Sequence, residues 1–289
     1  MVEKVGAVIV TYNNAEMLNS LLADLIGQTR RPDEIIIVDN SNTDITRTMI
    51  KRSFSGVRYI QPETNIGSAG GYAEGIKAAC QKDDLIWLLD DDVSVGHNAL
   101  EELLLWLNRL EQTEKVGAVR SWCAKVCDFE TPRKTDSFAW RGTLIKASVA
   151  AQIGLPRTEY FLYADDTEYA LRMTRRGYSI FWIPSSRVVE NSSDDKIDAR
   201  ILGRKSTFYA DEARAYYAFR NQIDVALRYH LWWQAARIFA YAAKTVLWIG
   251  LAASDNKAQK MRAVGNGLMD GLRGRLGRNE RYLPREMRL

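Results

Sequence analysis

The chain has 289 residues, 46% of them hydrophobic, so it can bury the core of one large α/β domain with an extension, or of two small domains, and a disordered chain is excluded. Its three cysteines form no CxxC pair, which argues against a disulfide framework or a zinc site and predicts a reducing compartment. The net charge is only +4, and with two histidines far apart in the sequence, carboxylates are expected to carry any acid–base chemistry.

Short apolar runs alternate with helix-like segments at the start of the chain. Val5–Thr11 and residues 34–38 are β-branched and too short for helices, and residues 57–61 predict a third strand. Between the first two, Ala15–Ile26 carries apolar residues at helical spacing. The alternation predicts a mostly parallel α/β sheet with its ligand at the carboxyl ends of the strands, where Asp39 falls. No signal peptide is expected, since no long apolar stretch opens the chain.

A glycine-rich stretch, Asn65-Ile-Gly-Ser-Ala-Gly-Gly-Tyr72, follows the third strand and is predicted to open a helix that runs to Ala79. Its glycines allow the backbone to approach a ligand closely, and a helix N-terminus offers N–H groups to an anion. The stretch is neither a GxGxxG fingerprint nor a Walker A loop, so a plain turn is the alternative.

Three adjacent carboxylates, Asp90, Asp91 and Asp92, end the apolar run that begins at Trp87. Because side chains alternate along an extended segment, Asp90 and Asp92 are predicted to point the same way and to form a pair. Mg²⁺ or Mn²⁺ would relieve their repulsion, since both ions prefer oxygen ligands. The alternative is a solvated acidic turn before a helix over residues 98–110.

The middle of the chain offers one aromatic candidate, Trp140. Residues 116–120 predict a strand, residues 121–135 an irregular segment, and residues 138–146 a further strand that contains this tryptophan. Two interpretations stay open for Trp140: a wall of a sugar site, or a core residue beside a bend.

A second acidic cluster, Asp165, Asp166 and Glu168, lies at the start of a predicted helix. One aspartate can cap the helix, which leaves the other two carboxylates unexplained. Glu168 and Arg172 are one helical turn apart and are predicted to pair. Asp166 would then be free to remove a proton from a hydroxyl group.

The last third combines a long apolar helix with a basic tail. Residues 229–253 are long enough to span a membrane, but Arg237 and Lys244 would each cost about 2.5–3.5 kcal/mol near its centre and belong to a polar stripe. We expect a helix that lies in the membrane interface or in a subunit contact, with a helical subdomain that covers the core as the alternative. From residue 257 onward, nine Lys or Arg against three Asp or Glu favour the inner face of the cell membrane.

The order of these features resembles that of inverting GT-A glycosyltransferases of family two, over roughly the first two-thirds of the chain. The matching segments are Thr11-Tyr12-Asn13, Val38-Asp-Asn-Ser-Asn-Thr-Asp44, Asn65-Ile-Gly67, Asp90-Asp91-Asp92 and Asp165-Asp166-Thr-Glu168-Tyr169. Within the family, the glycine-rich stretch and the second acidic cluster are similar to those of bacterial galactofuranosyltransferases and rhamnosyltransferases that build cell-surface polysaccharide.

The resemblance implies a GT-A nucleotide-sugar-binding and catalytic domain over residues 1–205 and a helical region over residues 206–289. It implies nucleotide binding by Thr11, Asp39, Asn40, Gly67, Asp90 and Asp91, sugar binding by Ser68, Gly70, Gly71, Trp140, Asp165 and Glu168, and binding of Mn²⁺ or Mg²⁺ by Asp90, Asp92 and Glu190. Asp166 would deprotonate the acceptor hydroxyl, and one displacement would invert the anomeric carbon.

One position departs from the family pattern. Relatives often place a histidine, as an additional metal ligand, where Val188-Val189-Glu190 stands here. Either Glu190 serves as an oxygen ligand or the metal relies on the aspartates alone, so the preferred metal is open.

The implied donor is UDP-galactofuranose and the implied acceptor is a lipid-linked glycan or a polysaccharide, with dTDP-rhamnose as the alternative donor. A nucleotidyltransferase is a more distant alternative, because the residues after the first strand, 11–14, lack the glycines and basic residues it would need. Nucleic acid is not an expected partner, since Tyr282 is the single aromatic residue among the arginines of the tail. A homo-oligomer stays open.

Overall fold

The structure is a computed structural model, and it describes residues 3–123, 126–191, 196–201, 204–209, 211–253, 255–284 and 287. The chain forms two compact units. Unit 1 contains Met1–Arg157 and Asp166–Ser192, and unit 2 contains Thr158–Asp165 and Ser193–Leu289. The domain boundary that the sequence predicts after residue 205 stays a prediction.

Unit 1 alternates strands with helices. Its strands are β1 (Val5–Thr11), β2 (Glu34–Asp39), β3 (Val57–Ile60), β4 (Leu85–Asp90), β5 (Val93–Val95), β6 (Val116–Trp122), β7 (Arg133–Thr135), β8 (Thr143–Lys146) and β9 (Ser179–Glu190). Its helices are α1 (Ala15–Ile26), α2 (Ile45–Ser53), α3 (Gly67–Ala79), α4 (Ala99–Leu110), α5 (Ala147–Ile153) and α6 (Asp165–Arg175), the last of which begins with the final residue of the short unit 2 segment.

The described strands of unit 1 form one sheet in the order β3-β2-β1-β4-β8-β6-β9-β5, with β7 paired to β9. The neighbours β3, β2, β1 and β4 are parallel, as are β6 and β9, whereas β8 is antiparallel to both β4 and β6. The predicted sheet, mostly parallel and flanked by helices, is confirmed. One end of the sheet therefore collects the last residues of β1, β2, β4, β6 and β9 and the first residue of β8. We call this end the carboxyl edge.

Two apolar cores cover the two faces of this sheet. Val5, Ala7 and Ile9 are fully buried in the core that includes leucines of α1 and α4. Val8, one residue out of phase, belongs to the opposite core, with side chains of α3, α5 and α6. This alternation is the two-residue period of a strand, and each fully buried aliphatic side chain contributes about 1.5–3 kcal/mol.

Glycines let α3 lie directly on β1. A Cβ atom at Gly71 would stand 2.5 Å from Val10 Cγ1, and one at Gly75 would stand 2.3 Å from Val8 Cγ1. The first residue of the helix, Gly67, has φ +71°, a conformation that favours glycine. Gly71 and Gly75 thus allow α3 to approach β1, and the contact with a ligand that the sequence predicts for Gly71 stays a prediction.

Three local expectations are corrected. The strand predicted over residues 138–146 covers only Thr143–Lys146, because Gly142 (φ +78°) turns the chain before it. The segment 121–135 is not wholly irregular, since it contains the end of β6 and all of β7. Asp91 and Asp92 form a turn after β4, so the alternation argument for an extended segment does not apply beyond Asp90.

Unit 2 consists of a hairpin and helices. The hairpin pairs β10 (Lys196–Ile201) with β11 (Arg204–Tyr209), and the helices are α7 (Glu212–Arg228), α8 (Trp232–Ala252) and α9 (Lys257–Leu272). Helices α7 and α9 cross closely, since Cβ atoms at Gly267 and Gly271 would stand 2.5 Å from Tyr216 O and 2.3 Å from Arg220 O. The C-terminal helical region that the sequence predicts is confirmed.

Helix α8 is the one helix in the described part of the chain that is long and apolar enough to cross a membrane, by length and composition alone. It buries only a narrow stripe that includes Ala235, Ala242 and Ile249. Its exposed large side chains are Trp232, Trp233, Phe239, Leu247 and Leu251, with Trp233 77% exposed. This exposed apolar surface is called the α8 face below.

Candidate active site

Hydrogen bonds tie the ends of neighbouring strands together at the carboxyl edge. Thr11 Oγ1, at the end of β1, donates to Asp91 Oδ2 over 2.5 Å. Asn40, just after β2, donates from its backbone N–H to Thr11 O (2.9 Å) and from Nδ2 to Gly67 O (3.0 Å), while its Oδ1 accepts from Ile66 N–H (3.1 Å). The start of α3 is thereby fixed to the ends of β1 and β2.

Asp39, the last residue of β2, is fully buried and already bonded within the protein. Its Oδ1 accepts from Ser41 N–H at 2.8 Å, and its Oδ2 accepts from the Tyr59 hydroxyl at 2.6 Å. Asp39 therefore holds the segment after β2, and its sequence-predicted contact with a nucleotide stays a prediction.

Three aspartates are adjacent at the end of β4: Asp90 is its last residue, and Asp91 and Asp92 follow in a turn. Tyr72, on α3, donates its hydroxyl to Asp90 Oδ1 over 2.6 Å. Burial, helped by the charge of Asp92, raises the pKa of Asp90 to about 7 against the lowering effect of that bond. Burial also raises the pKa of Asp91 to about 6, although hydrogen bonds from Thr11 and Asn14 lower it. The negative charge here is thus unfavourable without a cation.

The oxygen ligands present suit a divalent ion. Among the described residues, no group of three or more His, Cys, Asp or Glu side chains is arranged to hold a metal. Mg²⁺ is commonly held by one or two carboxylates together with substrate phosphates, and Asp90 and Asp92 supply carboxylates in mutual electrostatic range. A metal bound with the help of a diphosphate fits these residues.

Aromatic residues support the carboxyl edge from inside. Trp140 is 5% exposed and stacks on Tyr72 with ring centroids 4.5 Å apart. It also contacts Phe138 and Tyr169. Trp140 is thus a core residue beside the Gly142 bend, and its ring holds that of Tyr72 in place. Its predicted contact with a sugar stays a prediction.

The residues that open α3 are placed at the same edge. Gly67 and Gly70 are buried and Ser68 is half-buried. A Cβ at Gly70 would stand 2.7 Å from Ile66 Cβ, so this glycine is required by the turn that precedes it.

Asp166 lies in the first turn of α6 and is half-buried. Its Oδ1 accepts from the backbone N–H and the hydroxyl of Thr167, at 2.5 and 3.1 Å. Burial raises the pKa of Asp166, while the Thr167 bonds and the guanidinium groups of Arg120 and Arg141 lower it. A carboxylate with a raised pKa next to cations has the properties of a general base.

The other two carboxylates of the second acidic cluster, Glu168 and Asp165, are buried. Glu168 is fully buried, and its Oε2 accepts from Arg172 Nη2 at 2.9 Å, as the one-turn spacing predicts. Arg172 also donates to Ile153 O and Leu155 O. Asp165, the last residue of the unit 2 segment, is 3% exposed. The sugar-binding roles of Glu168 and Asp165 stay predictions.

Glu190, the last residue of β9, forms an ion pair with Arg141 Nη1. Arg141 precedes Gly142 at the start of β8, so the antiparallel direction of β8 brings it to the carboxyl edge. The metal-ligating role predicted for Glu190 stays a prediction beside this observed pairing.

Two arginines of the site are missed by sequence reasoning. Arg120, on β6, is 5% exposed, lies over the ring of Trp182 (3.5 Å from Cζ to the centroid) and donates to Ser137 O. Arg141 stands in a segment without periodicity. Neither belongs to a local motif. The one signal is topological, since Arg120 lies near the end of β6 and Arg141 lies just before β8 begins, both at the carboxyl edge.

Comparison with known proteins gives the family context of this site. The profile of the family described as "Glycosyl transferase family 2" matches residues 7–151. The chain is 26% identical over 253 residues to galactofuranosyltransferase GlfT1 of Mycolicibacterium smegmatis, covering 76% of this chain and 82% of that protein. It is 25% identical over 301 aligned positions to dTDP-rhamnosyl transferase RfbF of Shigella flexneri, covering 96% of this chain and 98% of that protein.

Solved structures share the fold. The mannosyltransferase PcManGT from Pyrobaculum calidifontis, in complex with GDP-Man and Mn²⁺, superposes with a TM-score of 0.61 at 18% identity, covering 95% of this chain and 87% of that one. GalNAc-T7 with UDP, GalNAc and Mn²⁺ also gives a TM-score of 0.61, at 14% identity, but this chain spans only 56% of its length. At these identities the likeness concerns the fold alone, and the GT-A fold expected from the sequence is confirmed.

Proposed function

The chain belongs to glycosyl transferase family 2 and is a glycosyltransferase, and from this premise we propose that it is a metal-dependent inverting enzyme with a nucleotide diphosphate sugar as donor. The observation that carries the proposal is the carboxyl edge. There, the charge of Asp92 raises the pKa of both Asp90 and Asp91, and Asp166 lies in electrostatic range of Arg120 and Arg141. Family membership also removes the nucleotidyltransferase alternative.

The donor's nucleotide is assigned to the ends of β1 and β2 and to the start of α3. Thr11, Asp39, Asn40, Gly67 and Asp91 provide rigid polar groups there, because they are hydrogen-bonded to one another or to their neighbours. The sugar is assigned to Ser68, Gly70, Gly71, Trp140, Asp165 and Glu168. A preformed set of this kind loses little conformational entropy when the donor binds.

The metal is assigned to Asp90 and Asp92. When bound, Mn²⁺ or Mg²⁺ would neutralise charge on the diphosphate. That two structural neighbours hold Mn²⁺ with a nucleotide or nucleotide sugar supports this assignment.

Asp166 is assigned as the general base. It takes the proton of the acceptor hydroxyl as that oxygen forms a bond to the anomeric carbon and the bond from this carbon to the diphosphate oxygen breaks. One displacement inverts the anomeric carbon. No covalent sugar–enzyme intermediate is required.

The donor sugar is assigned as galactofuranose from UDP-galactofuranose. The relative GlfT1, a galactofuranosyltransferase that aligns with 76% of this chain, supports it. Rhamnose from dTDP-rhamnose is the second candidate, because RfbF, named a dTDP-rhamnosyl transferase, aligns with 96% of this chain. The acceptor is assigned as a lipid-linked glycan or a cell-surface polysaccharide.

The α8 face is assigned to the inner surface of the cell membrane. Between its large side chains, Ala236, Ala240 and Ala243 are also exposed and recur at helical spacing with Leu247 and Leu251. Arg237 and Lys244 flank them, and the basic tail follows. An apolar face with a cationic border is the pattern of a helix that lies in the plane of an anionic bilayer.

A panel of nucleotide sugars tests the proposal. Thermal unfolding is recorded with UDP-galactofuranose, dTDP-rhamnose and GDP-mannose, each with Mn²⁺ and with EDTA. We expect UDP-galactofuranose to raise the unfolding temperature by clearly more with Mn²⁺ than with EDTA, and dTDP-rhamnose to do so instead if the second candidate is correct. No stabilisation by any donor would refute the donor assignment, and equal stabilisation in EDTA would refute the metal.

A further inference from the structure

We propose, on the basis of the proposed function, that Arg141 binds the diphosphate of the donor and stabilises the departing diphosphate, and that Glu190 is a positioning residue that holds Arg141 rather than a metal ligand. Neither role follows from a sequence motif. Both follow from the position of two strands, β8 and β9, in the sheet.

The backbone at Arg141 is fixed at the carboxyl edge. The next residue, Gly142, donates its N–H to Leu88 O over 2.9 Å, and its carbonyl accepts from Ser121 N–H over 2.8 Å. It has φ +78°, and a Cβ there would stand 2.8 Å from Val188 Cγ2. The turn at 141–142 is thus pinned between β4 and β6, two residues from the aspartates that follow Leu88.

Arg141 lies in electrostatic range of both acidic clusters. Arg141 is among the charges that act on Asp90 and on Asp166. A donor that lies between a metal at Asp90 and the base Asp166 would therefore have its phosphates close to this cation. A guanidinium group presents five N–H donors and binds phosphate oxygens in pairs, so the contact with Glu190 leaves donors for a diphosphate.

The pairing with Glu190 is too exposed to be explained by stability. The side chains are 32% and 38% exposed, and a pair of that kind contributes about 0–1 kcal/mol. A diphosphate leaving group carries several negative charges, and a divalent ion shared with two carboxylates leaves most of them uncompensated. A guanidinium group placed beside the bond that breaks would stabilise that charge as it develops.

In the reaction, Arg141 forms no covalent bond. The acceptor oxygen bonds to the anomeric carbon, its proton passes to Asp166, and the electron pair of the breaking bond remains on the diphosphate oxygen. The guanidinium N–H groups of Arg141 donate to the diphosphate throughout, and the carboxylate of Glu190 keeps the guanidinium in that orientation.

Nucleotide binding in EDTA tests the role of Arg141 without turnover or a metal, and a Mn²⁺ titration of the same variants tests the role of Glu190. Calorimetry is used to compare UDP with UMP, and dTDP with dTMP, for the wild type, Arg141→Gln, Arg141→Lys and Glu190→Gln. The matched control is Arg30→Gln, since Arg30 pairs with Asp33 at the opposite edge of the sheet with similar exposure (26% and 41%).

We expect the wild type to bind the diphosphate more tightly than the monophosphate, and Arg141→Gln to lose about tenfold of that preference, the value of a hydrogen bond to a charged group. Arg141→Lys should retain part of the preference, because it keeps the charge. Glu190→Gln should reduce the preference while the Mn²⁺ concentration for half-maximal nucleotide binding stays unchanged. Arg30→Gln should behave as the wild type.

Two results would overturn the inference while the proposed function stands: an unchanged preference in Arg141→Gln, or a large rise in the Mn²⁺ requirement of Glu190→Gln, which would make Glu190 a metal ligand. A wild type with no preference for either diphosphate, despite a positive nucleotide-sugar panel, would also overturn it. Failure of the panel itself would refute the donor assignment and this inference together.

Discussion

Asp166 is the side chain on which the proposed chemistry most directly depends. In Asp166→Asn the amide keeps the shape of the side chain but cannot take a proton, so we expect turnover to fall by about 10²–10⁴-fold. Nucleotide and Mn²⁺ affinities should change little, because the substituted group faces the acceptor hydroxyl. Product formation and calorimetry measure the two quantities. An equal loss of binding and turnover would contradict the assignment of Asp166 as the base.

The pH profile should report the environment of the same carboxylate. Burial raises the pKa of Asp166 above its ordinary value of 3.8, and the base must be ionised, so kcat at saturating donor and Mn²⁺ should fall as the pH drops through this raised pKa. Arg120 lowers the pKa, so Arg120→Gln should move the acidic limb to higher pH, whereas Arg120→Lys should leave it near that of the wild type. A limb that stays in place in Arg120→Gln would show that Arg120 does not act on the base.

At the residue scale, local sequence patterns predict the positions of some residues of the candidate site and not of others. The positions of Asp90 at the end of β4 and of Asp166 at the start of α6 are predictable, because an apolar pattern changes into an acidic cluster there, while their roles stay predictions. Arg120 and Arg141 are not, because their positions depend on β8 being inserted antiparallel between β4 and β6, which no local pattern encodes.

The helix α3 depends on its glycines for its distance from β1. In Gly75→Ala the new Cβ would stand 2.3 Å from Val8 Cγ1, so we expect a loss of about 1–3 kcal/mol from overpacking. In Gly265→Ala, on α9, a Cβ meets nothing within 4 Å, so a gain of about 0.5–1 kcal/mol is expected from the better helix former. Denaturant unfolding measures both. Changes of the same sign would argue that helix propensity, not packing, decides the effect at Gly75.

The amino-terminal ends of the strands carry a buried carboxylate whose titration should affect stability. Burial, and then the neighbouring Glu34, raise the pKa of Asp83 to about 6 from 3.8. The native state therefore binds this proton more tightly than the unfolded chain does. Its contribution to stability is complete below about pH 4 and is lost as the pH rises through about 6.

Asp83→Asn should remove that loss. We expect the variant to exceed the wild type in unfolding free energy by about 1–2 kcal/mol at pH 7.5 and to match it near pH 4. Urea unfolding at the two pH values measures the difference, with the exposed Asp44→Asn as the control. A difference independent of pH would mean that the charge of Asp83 is not its source.

Among the elements, the long helices and the β-branched strands are predictable, because the spacing of hydrophobic residues along each one indicates its structure. The short strands β5 and β7 are not, because three residues hold too little pattern and pair only through the rest of the sheet. Strand β8 is shorter than the sequence predicts. Phe138 and Trp140 favour a strand locally, but both rings pack into the core beside a glycine bend.

At the scale of the whole molecule, the charge distribution and the α8 face favour a membrane surface. Trp232→Ser combined with Trp233→Ser removes two exposed rings (64% and 77%), so we expect binding to phosphatidylglycerol vesicles to weaken at least about tenfold. The control is Ile45→Ser, which removes an exposed side chain of unit 1 (67%). Binding of the wild type should also weaken at high salt, because part of the attraction is ionic.

Vesicle cosedimentation measures these affinities. An unaltered affinity of the double variant would contradict the assignment of the α8 face, and a double variant that loses self-association instead would identify a subunit contact, the alternative that the sequence leaves open.

The direction of β8 also has a consequence for how such an enzyme diversifies. β6 ends and β8 begins at the carboxyl edge, and β7, which lies between them in sequence, starts near the same edge beside β9. Insertions and deletions in residues 126–132, before β7, would leave the register of β4, β8 and β6 unchanged, since loops tolerate changes of length better than strands do. Specificity for a new sugar can thus evolve in one short interval of the gene while the strands that position Asp90 and Arg141 are inherited unchanged.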